Sequence, residues 1–344
     1  MEIPGRTFVV NSMFILFSLV FALAIAEIVS RIIPIANDTN PVYKLAHEVL
    51  PYVMKPNSEA VSLQGHLIKI NSHGLRDYDY PFPKPEGTFR ILVLGDSVAF
   101  AYGNVMEDGF TKILERKLNA VESKKYENFE VINTAHAGYN ILDQYNYLRL
   151  KGLKYSPDLV VVSNYSRFHA PESSNRVIHD GLDSAPGSFW LRSHILSWIK
   201  RTLRKSYLYT TVGLIVPKIR ANFRDPPQLS TDALKKRLQA IRGDYEKIIS
   251  LASKSHFPIY FFAAPIKPEI LSKTYRANPQ QFHQQIRDFE RDGRAVYIDT
   301  MGSFINFPGN VDDLFASNDP AHPNVKGHQI IADSLYDILV QQVL

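Results

Sequence analysis

The chain has 344 residues, 45% of them hydrophobic and 21% charged, with a formal net charge of +5. That balance is ordinary for a globular chain, long enough for one large domain or for one with an insertion. With no cysteine, a disulfide framework, a thiolate metal site and a cysteine nucleophile are all excluded.

The N-terminus is apolar almost throughout from Phe8 to Val29, with Asn11 and Glu27 near the two ends. About 22 residues at a 1.5 Å rise match the thickness of a bilayer core, so an N-terminal transmembrane helix is expected within an anchor over residues 1–33. A cleaved signal peptide competes with this, because Ala24-Ile25-Ala26 has the form of a cleavage site. The run is long for a signal core and continues into Ile28-Val29-Ser30-Arg31-Ile32-Ile33, which favours a retained anchor. Basic residues are sparse on both flanks (Arg6 before, Arg31 and Lys44 after), so charge does not decide the orientation.

Residues 34–89 carry prolines at 34, 41, 51, 56, 81, 83 and 85 and read as a stalk plus a small β extension covering the sheet edge. Asn71 to Asp77 reads as a structural turn with Gly74 at positive φ. A main domain is expected over 90–344. It begins with Ile91 to Leu94, an apolar run too short for a helix that reads as a strand buried on both faces. That run breaks into Gly95-Asp96-Ser97. A serine there sits at the C-terminal edge of a parallel sheet, where open α/β folds place their ligand crevice.

Gly109 to Val121 has helical apolar spacing. Phe129 to Asn133 reads as a second strand, followed by Gly138 and by Asn140 as the cap of a helix over 141–153. His136 reads as a loop residue rather than a catalyst. Pro157 to Val162 is a third buried strand. Residues 170–229 do not fit the alternation and read as an insertion. From Gly187 to Arg224 this insertion is basic, without an acid, and interleaved with Phe189, Trp190 and Trp198. Such a stretch suits either an interfacial helix on an anionic membrane or a lid with a solvated basic face; nucleic acid is not an expected partner.

The alternation resumes with an amphipathic helix over 231–253, a strand over 257–264, a helix over 279–292, a fifth strand over 295–299 and a closing helix over 325–344. Asn324 reads as the cap of the closing helix and His328 as a surface residue on it. Strand and helix alternating without internal repeats imply a parallel sheet between helical layers. Just before the last helix stand Asp319 and His322, three residues apart in a proline-braced loop. That spacing lets the carboxylate accept the imidazole Nδ1–H and leaves Nε2 free to face Ser97. A serine hydroxyl is a poor nucleophile until a base takes its proton, and His322 is the expected base.

Gly-Asp-Ser at 95–97, Gly138 after the second strand and Asp-x-x-His at 319–322 resemble the SGNH (GDSL-type) hydrolase superfamily, over roughly Asn71 to the C-terminus. The Asn71–Asp77 segment is similar to one preceding the Gly-Asp-Ser strand in membrane-anchored members. The resemblance implies a flavodoxin-like, three-layer α/β/α domain with a five-stranded parallel sheet, and a serine esterase using Ser97, His322 and Asp319. It implies that the Gly138 N–H serves the oxyanion, and that neither metal nor organic cofactor takes part. The family's third block, an asparagine just beyond the third strand, is altered here to Ser163-Asn164-Tyr165-Ser166-Arg167. Asn164 is the expected oxyanion donor, with Arg167 as the alternative. The implied substrates are O-acyl esters, O-acetyl above all, on an envelope glycan or lipid, with the catalytic domain of a single-pass membrane protein on the extracytoplasmic side. An O-acyltransferase acting on a glycan and a binding protein without turnover are the two other readings.

Overall fold

The computed structural model describes residues 4–32, 44–45, 47–62, 65–165, 231–271, 284–317 and 319–343. The chain divides into two compact units, residues 1–41 with 180–228 and residues 42–179 with 229–344. The insertion expected at 170–229 lies outside the described residues.

In the first unit, Pro4–Ile32 form one helix of 29 residues, α1. Its large apolar side chains between Met13 and Val29 are exposed, Phe14 at 67% and Phe17 at 69%. Among the described residues no helix is long and apolar enough to cross a membrane. The expected helix is therefore present, but the structure does not support its assignment as a transmembrane span.

The second unit opens with two short hairpins. β1 (Lys44–Leu45) pairs with β2 (Val53–Met54), and β3 (Ser58–Val61) pairs with β4 (Leu67–Ile70). Of the piece expected as a stalk and small β extension over 34–89, residues 42–89 fall in this unit and 34–41 in the first.

Five parallel strands follow: β5 (Thr88–Leu94), β6 (Asn128–Asn133), β7 (Leu159–Tyr165), β8 (Ile259–Ala264) and β9 (Val296–Ile298), in the order β6-β5-β7-β8-β9. This is the doubly wound order expected of a flavodoxin-like sheet, with its switch point beside β5. Every residue of β5 is buried, because the strand has a neighbour on each edge and a helical layer on each face. Its side chains alternate between two cores. Ile91 and Val93 pack with α2 (Phe110–Asn119) and α8 (Val325–Val343) through Phe110, Leu114, Ile331 and Leu335. Leu92 and Leu94 pack with α3 (Ile141–Leu150) and α4 (Thr231–Lys254) through Leu148, Tyr245 and Ile248. Three layers result.

Arg90, inside β5, is wholly buried, and its guanidinium is paired with Glu130 at 2.6 Å. The remaining helices are α5 (Lys267–Leu271), α6 over 284–291 and α7 (Thr300–Ile305). Asn140 caps α3 in a reciprocal capping box with Asp143, both bonds at 3.0 Å. The helix is shorter than expected and passes into a 3₁₀ turn over Gly152–Tyr155. Asn324 caps α8 through Lys326 N–H at 3.0 Å. His328 corrects the expectation of a surface residue. It is only 1% exposed, because it lies on the same face of α8 as Ile331, Leu335 and Leu339.

Candidate active site

Ser97 follows β5 at the first residue of a tight loop, and it remains partly exposed between buried Asp96 and Val98. Gly95 makes this turn possible. A Cβ there would stand 2.4 Å from Ala99 Cβ and 3.0 Å from Ser163 Cβ, so only glycine fits where β5 leaves the sheet. Asp96 Oδ1 accepts Val98 N–H at 2.9 Å, and Phe100 N–H reaches Asp96 O at 2.9 Å. These bonds tie the turn to itself and leave the Ser97 hydroxyl facing outward.

The base comes from the opposite end of the sequence. The loop from Ala316 to Asn324 closes on itself through Ala316 N–H to His322 O at 3.0 Å and Asp319 N–H to Ala316 O at 3.0 Å. Asp319 Oδ1 accepts the N–H groups of Ala321 at 2.8 Å and His322 at 3.2 Å. Its Oδ2 lies 2.6 Å from His322 Nδ1, and His322 Nε2 lies 2.9 Å from Ser97 Oγ. Nδ1–H therefore donates to the carboxylate, which leaves Nε2 as the acceptor for the serine proton. Partial burial alone would raise the Asp319 pKa. Hydrogen bonds from the His322 ring and from two backbone N–H groups outweigh it and hold the carboxyl below its usual range. The carboxylate thus stays ionised wherever the imidazole is needed as a base. Tyr102 covers the outer face of the His322 ring, with centroids 4.4 Å apart.

Gly138 is exposed with φ +86°, and a Cβ there would meet nothing within 4 Å. Among the described residues no protein group accepts the N–H of Ser97 or of Gly138. Two unspent donors thus stand on the loops after β5 and β6, two neighbouring strands of the sheet. Asn164 lies in β7 with its Cα opposite Ala263; its side chain, and Arg167 altogether, lie outside the described residues. No group of metal-ligating side chains occurs among the described residues.

His136 is a loop residue as expected, but it is fully buried. Its Nδ1–H donates to Thr134 O at 2.9 Å, and its ring stacks on Tyr139 at 4.5 Å. Burial lowers its pKa to about 3, so the ring is neutral. It braces the Gly138 loop from below. Three residues of the site escaped the sequence reading: Tyr102 over the base, Asn104 linking the serine loop to the histidine loop, and Arg76 behind the serine loop. The one signal for them was the Asn71–Asp77 segment, read as a turn.

The sheet order, the serine at the end of the first sheet strand and the histidine–carboxylate loop before the last helix together define an α/β/α domain with Ser97, His322 and Asp319 in one hydrogen-bonded line. In overall fold the chain resembles GDSL-type esterases and lipases. A lipase/acylhydrolase from Enterococcus faecalis matches over 74% of this chain and 96% of its own, at 12% identity and a TM-score of 0.45. A catalytic mutant of an acetylxylan esterase from Geobacillus stearothermophilus matches over 72% and 93%, at 14% and 0.45. The psychrotrophic esterase EstA from Pseudoalteromonas sp., inhibited by monoethylphosphonate, matches over 73% and 97%, at 17% and 0.43. Likenesses of this strength concern general shape and carry no argument about the reaction. No protein-family model and no curated protein matches the chain.

Proposed function

We propose that this chain is a serine esterase of SGNH type that cleaves O-acyl esters by acyl transfer through Ser97. The observation that carries the reading is the continuous hydrogen-bonded line from Ser97 Oγ through His322 to Asp319, at 2.9 and 2.6 Å. Ser97 Oγ attacks the ester carbonyl while His322 Nε2 takes its proton. The carbonyl oxygen becomes an oxyanion, for which the free N–H groups of Ser97 and Gly138 are the available donors, each such donor being worth about 3 kcal/mol in the transition state. His322 then protonates the departing alkoxide, leaving an acyl-serine and a free alcohol. Water, deprotonated by the same histidine, attacks the acyl-serine; the acyl–Oγ bond breaks, His322 returns the proton to Ser97 Oγ, and the carboxylic acid departs. Asp319 holds the tautomer and stabilises the imidazolium that forms twice per cycle.

The acyl group we propose is small, acetyl first, on a glycan or lipid of the cell envelope. This rests on the resemblance of the Gly-Asp-Ser and Asp-x-x-His blocks. A retained membrane anchor over residues 1–33, with the catalytic domain on the extracytoplasmic side, is likewise proposed. Its supports are the apolar run from Phe8 to Val29 and the exposure of its described side chains.

Treatment of the full-length protein with an organophosphonate ester, followed by peptide mass spectrometry, tests the chemistry. Stoichiometric labelling at Ser97, and hydrolysis of an aryl acetate that Ser97→Ala lowers by orders of magnitude, are expected. Hydrolysis by Ser97→Ala at the parental rate would remove the assignment. If acyl product forms only after a sugar acceptor is added, the activity is transfer to a hydroxyl rather than to water. Absence of both labelling and turnover would leave a binding protein.

A further inference from the structure

The loop from Val98 to Asn104, which follows the nucleophile, is mostly buried, and its own turn bonds (Ala101 N–H to Val98 O at 2.9 Å, Asn104 N–H to Ala101 O at 3.1 Å) leave other carbonyl groups to be satisfied from outside it. One side chain from outside the core sheet bonds three of the loop's carbonyls. Arg76, only 2% exposed, donates from Nη1 to Phe100 O at 2.8 Å and Ala101 O at 2.9 Å, and from Nη2 to Asn104 O at 2.7 Å. The middle acceptor belongs to Ala101, a non-glycine residue held at φ +57°. Such a conformation persists only where its surroundings over-determine it, and here the guanidinium fork adds to the turn bonds by tying Ala101 O to the carbonyls of Phe100 and Asn104.

The clamp reaches further than the serine loop. Asn104, whose carbonyl Arg76 holds, sends its own Nδ2 to Pro323 O at 3.0 Å and to Tyr102 O at 3.1 Å. Pro323 is the residue after the base, and Tyr102 is the ring lying over the base. Tyr102 N–H in turn donates to Ser97 O at 3.0 Å. A single buried cation therefore sits behind both halves of the Ser97–His322 contact. The next residue, Asp77, extends the same arrangement by accepting Asn133 N–H at 2.6 Å at the end of β6.

We propose that Arg76 is a positioning residue, which through the 98–104 loop and Asn104 holds His322 in register with Ser97. This rests on the serine-esterase reading above and assigns a role to the Asn71–Asp77 segment within it. Arg76 is on this view a part of the active site that acts through the loops carrying Ser97 and His322.

The test compares full-length parent with Arg76→Lys, Arg76→Gln and Asn104→Ala for kcat and KM on an aryl acetate, for melting temperature, and for the downfield proton resonance of the His322–Asp319 hydrogen bond. Arg76→Gln and Asn104→Ala are expected to lower kcat at least tenfold with KM within twofold of the parent. Arg76→Lys, which keeps the cation but not the fork, is expected to recover part of the loss. The two lesions should be non-additive when combined, because they cut one path. In the variants the downfield resonance should broaden or shift. Folded variants with parental kcat and an unmoved resonance would overturn the role. If Arg76→Gln fails to fold, Asn104→Ala decides alone, since it leaves the Arg76 acceptor carbonyl in place. Failure of the esterase reading would show separately, as a parent protein without turnover or phosphonate labelling, and the resonance would still decide whether the clamp sets the histidine.

Discussion

At the scale of single residues, the distances divide labour among three side chains. Asp319 touches no reacting atom. Its Oδ1 is spent on two backbone N–H groups, so the loop fixes which oxygen faces the ring. Asp319→Asn would keep that shape while presenting an amide where the carboxylate charge was. The Nδ1–H tautomer then loses its preference, and kcat should fall by about 10³–10⁴-fold with little change in KM. Steady-state kinetics on an activated ester measures this, and a loss below tenfold would mean that the tautomer is fixed by something else. That Ser97, His322 and Asp319 come within hydrogen-bond reach was legible in the sequence, because an alternating fold brings those chain positions together. Asn164 against Arg167 was not legible, since a strand end can present neighbouring residues in either direction. His328 was misread although a signal existed: it falls one heptad before Leu335 and on the stripe of Ile331 and Leu339. Arg76 was noticed only as part of the Asn71–Asp77 turn, and its role was not legible for a different reason. Its partners are backbone carbonyls, and no sequence pattern marks a carbonyl as needing a donor.

At the scale of elements, the nucleophile turn and the start of α8 both depend on glycine for space. A Cβ on Gly327 would stand 2.5 Å from Leu314 O and 2.7 Å from Pro323 Cβ, so the helix can begin directly against the histidine loop. For Gly95 the obstruction is Ala99 Cβ and Ser163 Cβ, neither of which can swing away. Gly95→Ala should therefore cost about 1–3 kcal/mol in chemical denaturation, as overpacking does. Activity should fall more steeply than stability, because the turn carrying Ser97 must move to relieve the clash. An alanine variant with parental kcat would show that the turn is more yielding than its contacts imply. The strands of the core sheet were the most legible elements, since strands buried on both faces read as short apolar runs. Boundaries were less so: β9 came out as Val296–Ile298 rather than 295–299, and α3 ended early where Gly152 packs against Leu92 and Leu148.

At the scale of the whole molecule, the alternation of strand and helix was enough to define the layered architecture. The two N-terminal hairpins were too short to announce themselves as more than a small β extension. The fold also stores an acid sensitivity. His328 is fully buried and accepts Phe110 N–H at Nδ1, 3.3 Å away. Burial first, then the charge that His322 carries when protonated and that of Arg76, lowers its pKa to about 3. Below the ordinary value of 6.5 the unfolded chain binds a proton that the folded chain refuses, so stability is lost as pH falls from 6.5 toward 3. His136 acts in the same sense, while Asp77, raised to about 6 by burial against the pull of Lys112, acts in the opposite one. A difference measurement isolates one group. His328→Asn keeps an acceptor for Phe110 and cannot ionise. Its stability relative to the parent should therefore improve by up to about 1.4 kcal/mol for each pH unit below 6.5. Urea midpoints at pH 7, 6, 5 and 4 would show this, and parallel curves would mean that His328 does not titrate on unfolding.

The bond between Ser97 and His322 spans 225 positions of sequence. A polypeptide emerging from the ribosome carries its alcohol long before it carries its base, and contacts of such separation form late. Until the histidine loop has been synthesised and has docked against Tyr102 and Asn104, Ser97 is no more reactive than any other hydroxyl. A nascent, clipped or half-folded chain is therefore unable to attack the acyl groups around it, and catalytic competence is withheld until assembly is finished.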